Sequence, residues 1–230
     1  MIEQLLKEIK EDKKDNLTTT SFQFKRDLWN FFQEGFKNKT AVEFGTHKGQ
    51  TTKVLSHLFK KVYTINNQDN KKAKELNSDI KNITYIDNFD LYTPNRLPIS
   101  ENVNVFLVDA GHLYNQVAND IQRIKSMNCS SECYIIFDDY GMGAQKNDVK
   151  KAVDEAIEKK FITLVKKIGH GKDYDFGNNR ILSDNEGIIT KLNNDMKDTP
   201  WNLQNIIETQ GLWNPNNSEI IVETTGLFQG

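Results

Sequence analysis

The chain has 230 residues, 30 Lys and Arg against 32 Asp and Glu, and a formal net charge of -2. With 37% hydrophobic and 27% charged residues, it has the composition of a soluble globular protein large enough for a substantial core, and one domain is the default. The basic residues are interleaved with acids, as in the runs 7–14 and 146–160, which argues against a nucleic-acid-binding stripe and disfavours DNA or RNA as a partner.

Cys129 and Cys133 stand four apart with no Cys or His partners at metal-finger spacing, and so read as reduced thiols. The start, Met1, Ile2 and Glu3 followed by mixed charges, is neither a signal nor a transit peptide. No apolar run approaches the roughly 20 residues that cross a bilayer. These features predict a cytoplasmic protein without a membrane partner.

Ile2, Leu5, Leu6 and Ile9 fall at helical spacing, and Phe22, Leu28, Trp29, Phe31, Phe32 and Phe36 mark a second amphipathic helix. Residues 1–38 are thus expected to be N-terminal helices packed on a core. From residue 40 onward, short β-rich runs alternate with longer amphipathic ones. The predicted strands are 40–44, 61–65, 82–86, 103–108, 134–137, 161–165 and 179–182; the predicted helices are 50–59, 69–76, 115–127 and 147–159. Residues 92–100, which contain proline, read as a loop. This alternation predicts an α/β, Rossmann-like core over 39–184, a mostly parallel sheet with helices on both faces. Beyond Asp184 the rhythm stops. Trp201, Leu203, Ile206, Ile207, Leu212 and Trp213 suggest a helix, followed by a strand at 219–223. This extension, 185–230, could cover a substrate pocket, pack a homo-oligomer, or lead into a neighbouring domain of a longer polypeptide.

The segment Glu43, Phe44, Gly45, Thr46, His47, Lys48, Gly49, Gln50, Thr51 places an acid at a strand end, two glycines four apart, and a helix start. Gly45 would allow a sharp turn, Gly49 a close approach of backbone to ligand, and the helix N-terminus would present free N–H groups. Neither the dinucleotide nor the P-loop fingerprint is present, and a phosphate beside Glu43 would be repelled. A ligand with a positively charged amino-acid portion and sulfonium, S-adenosylmethionine, fits better; a turn whose Glu only caps backbone is the bland alternative. Asn66, at the end of the second strand, stands where an acid commonly holds ribose hydroxyls. Asp87, Asn88 and Phe89 after the third strand offer polar groups and an aromatic wall for adenine.

Two further strands end in acids, at Asp109 and at Asp138 with Asp139. Carboxyl ends of parallel strands form the ligand crevice of such sheets, and clustered carboxylates call for a cation with a preference for oxygen: Mg2+, Mn2+ or Ca2+. Such an ion would lower the pKa of a substrate hydroxyl, and His112 could then act as general base. A turn cap for Asp138 and Asp139, and a structural or adenine-stacking role for His112, are the alternatives.

Over about residues 40–184 the chain resembles the class I S-adenosylmethionine-dependent O-methyltransferases, in particular the macrocin-type and related sugar O-methyltransferases. The likeness rests on Val42 to Gly49, on Val108-Asp109-Ala110-Gly111-His112-Leu113-Tyr114, and on Phe137-Asp138-Asp139-Tyr140. It implies a seven-stranded sheet with an antiparallel last strand, and Glu43, Gly45 and Gly49 at the methionine end of the cofactor. It also implies Mg2+ (or Mn2+) held by Asp109, Asp138 and Asp139, with a small-molecule or glycan hydroxyl as acceptor. Two positions depart from the pattern: Gly111, where the family has an acid able to serve as base, and Asn66.

Overall fold

The computed structural model describes residues 1–9, 19–92, 96–141, 146–173, 180–182, 185–199 and 201. Two helices come first, α1 (Ile2–Glu8) and α2 (Phe22–Phe32), the latter started by Ser21, whose hydroxyl accepts from the Phe24 N–H. The alternation then runs β1 (Thr40–Phe44), α3 (Gln50–Leu58), β2 (Lys61–Ile65), α4 (Lys71–Leu76), β3 (Ile83–Ile86), β4 (Val103–Val108), α5 (Tyr114–Ser126), β5 (Cys129–Phe137), α6 (Lys146–Glu158) and β6 (Ile162–Ile168). A short antiparallel pair, β7 (Gly171–Asp173) and β8 (Arg180–Leu182), precedes β9 (Gly187–Leu192).

The main sheet has seven strands in the order β3-β2-β1-β4-β5-β9-β6. The five strands from β3 to β5 are mutually parallel, while β9 runs antiparallel to both its neighbours. Alternate residues of the central strands feed two cores. Val42, Phe44, Phe106, Val108, Ile135 and Phe137 pack with α5 and α6, whereas Ala41, Val105, Leu107 and Ile136 pack with α1, α2 and α3. That period of two, with both faces apolar, is what a sheet covered by helices on each side requires. The architecture is the Rossmann-like α/β fold of class I methyltransferases.

The expected last sheet strand, 179–182, is a correction: its described part, β8, pairs with β7 outside the main sheet, and the seventh strand is β9. The core sheet therefore extends past residue 184. β9 is buried along almost its whole length, and Thr190 satisfies its hydroxyl on the Ile135 carbonyl, 2.9 Å away. The helix expected from Trp201 to Trp213 lies, apart from Trp201, outside the described residues, as does the strand expected at 219–223; Trp201 is buried against Phe161. Among the described residues no helix is long and apolar enough to cross a membrane.

Candidate active site

The carboxyl ends of the parallel strands lie side by side because the ladder continues one step beyond each strand. Gly45 N–H donates to Ile65 O at 2.9 Å, Asp109 N–H to Phe44 O at 2.8 Å, and Asp138 N–H to Val108 O at 3.1 Å. Residues 45, 109 and 138 thus stand in a row at one edge, with Asn66 beyond Gly45, its N–H donating to Ile86 O. This row is the crevice where open α/β sheets bind ligands.

Gly45 (φ +93°) is required by its neighbour, since a Cβ there would lie 1.8 Å from the Asp109 carbonyl oxygen. Gly49 (φ +79°) opens α3, and its Cβ would fall 2.6 Å from that of Ala73. Glu43, 1% exposed, receives on one oxygen, Oε2, the hydroxyls of Thr52 and Thr64, the latter at 2.6 Å. Thr46 Oγ1 lies 2.6 Å from Thr64 Oγ1, so a chain of hydroxyls ends on the carboxyl. Burial pushes the Glu43 carboxyl up to about 8 against the pull of the two threonines.

Other expected cofactor residues are drawn elsewhere. The Phe44 ring is fully buried against Phe106, so only its backbone borders the crevice. Gln50 donates to Ile9 O at 3.0 Å, and Thr51 Oγ1 meets Thr20 Oγ1 at 2.8 Å, tying the start of α3 to the N-terminal segment. Asp87 binds the side chain of Asn70 at 2.7 Å and also pairs with Lys74. Burial raises its pKa, but Lys74 and Asn70 more than offset that and hold it below the usual range. Asn66 is half-buried, whereas His47 (φ +46°) and Asn88 (φ +53°) are exposed.

Beyond Gly45 lies the acidic cluster. Nε2 of His112 is 3.0 Å from Asp139 Oδ2 and 3.7 Å from Asp109 Oδ1, an ion pair with each. Asp109, Asp139 and His112 offer ligand atoms all within 4.8 Å of one another. The two carboxylates push His112 up to about 10, so its nitrogen holds a proton at neutral pH. The general-base role expected of His112 requires that proton to leave first. Asp138, expected as a third carboxylate ligand, is 7% exposed, its Oδ1 has no hydrogen-bond partner, and it lies outside the group of converging ligand atoms. Burial, then the charges of Asp109, Glu186 and Asp139, drive its pKa far above the carboxylate range.

Several neighbours went unnamed in the sequence reading. Lys25 is fully buried and donates to Thr20 Oγ1 at 2.6 Å; burial raises the pKa of both Glu43 and Asp109, and the Lys25 charge partly opposes that rise. Glu186 accepts the Ser21 N–H at 2.8 Å and the Ser21 hydroxyl. Tyr92 fills the space above Gly111, where a Cβ would meet its hydroxyl at 2.1 Å and the Gln116 Cβ at 2.8 Å, so an acid at 111 would require these side chains to shift. Lys25 was detectable in principle: with Phe22, Trp29 and Phe32 it lies on the apolar stripe of α2.

No family model and no curated protein matches the sequence. Solved structures do match the fold. An S-adenosylmethionine-dependent methyltransferase from Aquifex aeolicus is 16% identical over 84% of this chain and 99% of its own, with a TM-score of 0.54. The N-methyltransferase NodS from Bradyrhizobium japonicum, in complex with S-adenosylhomocysteine, is 14% identical over 83% of this chain and 96% of its own, with a TM-score of 0.56. The tRNA methyltransferase TrmI from Aquifex aeolicus is 17% identical over 84% of this chain and 75% of its own, also at 0.56. At these identities the likeness establishes the fold.

Proposed function

We propose that the chain is an S-adenosylmethionine-dependent methyltransferase acting on a hydroxyl of a small-molecule or glycan acceptor, assisted by a divalent cation. The observation that carries this is the placement of two features on one strand edge: the glycine turn with its buried acid, Glu43, and the group Asp109, His112 and Asp139 one strand away. S-adenosylmethionine-dependent enzymes among the structural neighbours support the donor. The sugar class of acceptor rests on the resemblance read from the sequence.

The residues fit the donor. Gly45 packs directly against the Asp109 backbone and Gly49 against Ala73, which fixes the turn, and the α3 N-terminus follows it with its free N–H groups. Glu43 directs both threonine hydroxyls to Oε2, which leaves Oε1 for an amino group. Thr46, His47, Gln50 and Thr51 contribute backbone at the turn, and Asn66, Asp87 and Asn88 border the nucleoside side. Bound there, S-adenosylmethionine supplies an electrophilic methyl group.

The acidic group fits a divalent cation. Two carboxylates and one imidazole form a mixed O,O,N donor set, which suits Mn2+ better than Mg2+. When bound, such an ion lowers the pKa of an acceptor hydroxyl and orients it. Asp109 and Asp139 both approach Nε2 of His112, and that nitrogen must release its proton before it can ligate. Asp138 stands behind them as a buried, proton-binding carboxyl. The acceptor approaches from the side on which the His112 side chain, 34% exposed, meets water.

Incubation with methyl-labelled S-adenosylmethionine and a panel of hydroxylated acceptors, with Mn2+ or with a chelator, tests this reading. Label transfer that needs the ion supports it. Transfer undiminished by the chelator, or directed to nitrogen, replaces it with metal-independent methylation.

A further inference from the structure

The two cysteines lie on β5 where its register with β4 breaks. Val103 stands opposite Cys129 and Val105 opposite Tyr134, so two steps of β4 are matched by five of β5. At about 3.3 Å per strand residue, the Cα atoms of 129 and 134 are held about 7 Å apart, less than half the span of an extended run of that length. The extra residues loop out: Ser131 and Glu132 are exposed at the crest, the Ser130 hydroxyl donates to Glu132 O at 2.6 Å, and Cys133 returns to the core. A regular strand would hold residues four apart about 13 Å from each other, too far for a disulfide, whose Cα atoms stand roughly 4.4–6.8 Å apart. The loop removes that obstacle.

Both thiols fall on the face of the sheet that α5 covers. Cys129 Sγ donates to the Ile124 carbonyl at 3.3 Å, near the end of that helix, and Cys133, fully buried, packs in the same apolar core as Ile124. A hydrogen bond with Cys133 lowers the Cys129 thiol below its ordinary range, against burial and with help from Lys197, while the same bond and burial push Cys133 far up. Cys129 is half-buried and open to a reagent in solution, whereas Cys133 is reached through it. The pair sits at the amino-terminal end of β5 and Asp138 follows its other end, so neither thiol belongs to the methyl-transfer site.

We propose that Cys129 and Cys133 form a reversible intramolecular disulfide by exchange with a small-molecule disulfide such as glutathione disulfide. Cys129 Sγ, as thiolate, attacks one sulfur of the reagent, forming a mixed disulfide and releasing one glutathione thiolate. Cys133 Sγ then attacks Cys129 Sγ, and its proton passes to the second glutathione as that leaves. Two protein thiols are oxidised and one disulfide is reduced to two thiols. Reduced, folded protein incubated with glutathione disulfide and quenched in acid, with intact mass and thiol content as readouts, tests this. The wild type is expected to lose two hydrogens and both titratable thiols, to run as a single chain in non-reducing electrophoresis, and to recover with dithiothreitol. Cys133→Ser should stop at one bound glutathione, and Cys129→Ser should take up less than about a tenth as much in the same time. Retention of both thiols by the wild type, a stable glutathione adduct in place of the two-hydrogen loss, disulfide-linked dimers, no adduct on Cys133→Ser, or equal adduct on the two variants overturns the proposal.

Discussion

The carbonyl oxygen of Asp109 occupies the space where a side chain on Gly45 would begin, at 1.8 Å from that position. Two strand ends are thereby locked together, the one bearing the glycine turn and the one bearing the first acid of the cluster. Gly45→Ala should cost a few kcal/mol of stability, from a backbone clash added to a left-handed φ, and should abolish measurable S-adenosylhomocysteine binding. Gly35→Ala is the control: its φ is +81° but nothing lies within 4 Å, so only about 1 kcal/mol is expected. Urea unfolding of the two variants checks the contrast, and equal losses would count against it.

Ion binding should be linked to one proton. His112 is held near 10 by Asp109 and Asp139, so an ion must displace its proton, and Mn2+ affinity should climb as pH rises from 6 to 9. His112→Ala should weaken Mn2+ binding and remove most of that pH dependence, whereas Asp138→Asn should leave the pH dependence in place. Calorimetry in buffers of different ionisation enthalpy counts the proton directly. A pH-independent affinity contradicts the ligand set.

The same pair sets the metal-free stability profile. A histidine whose folded pKa lies above its unfolded value stabilises fully below about 6.5, and that contribution disappears as pH rises through about 10. Metal-free protein should therefore melt progressively lower over that window, and His112→Gln should flatten the fall.

Asp120 gives a prediction of the opposite kind. It is fully buried on α5, neither carboxyl oxygen has a hydrogen-bond partner, and burial pushes it up to about 8 against the pull of Arg123. A carboxyl with a raised folded pKa binds its proton more tightly in the folded state. Its contribution is therefore best below about 4 and is lost as pH climbs towards 8. Between pH 4 and pH 9 the stability difference should move in favour of Asp120→Asn by a few kcal/mol in urea unfolding. A constant difference would show that Asp120 does not titrate in this way.

The parts of the fold that sequence made legible are those with local periodicity. β1, β2 and β4 fall where alternation and apolar runs put them, and β3 and the helices differ by one or two residues at their ends. β9 was missed because Gly187-Ile188-Ile189-Thr190-Lys191-Leu192 is short, carries Thr and Lys, and follows a stretch without helix signals. Nothing local distinguishes it from β8, and only its partners β5 and β6 decide which strand closes the sheet. The site divides in the same way. Glycine spacing and strand-terminal acids were readable, whereas the pairing of Ser21 with Glu186, 165 residues apart, leaves no sequence pattern. That His112 converges with Asp109 and Asp139 depends on which way adjacent side chains point at a strand end. Asp139, at φ +55°, brings its Oδ2 to within 3.0 Å of His112 Nε2.

Calorimetric titration of S-adenosylhomocysteine into the wild-type protein and into Glu43→Ala bears most directly on the central claim, that the turn at Gly45 and Gly49 grips a sulfonium nucleoside donor beside Glu43. The account predicts saturable heat from the wild type and at least about tenfold weaker binding by the variant. Absence of heat from correctly folded wild-type protein, or equal affinity in both, would contradict it.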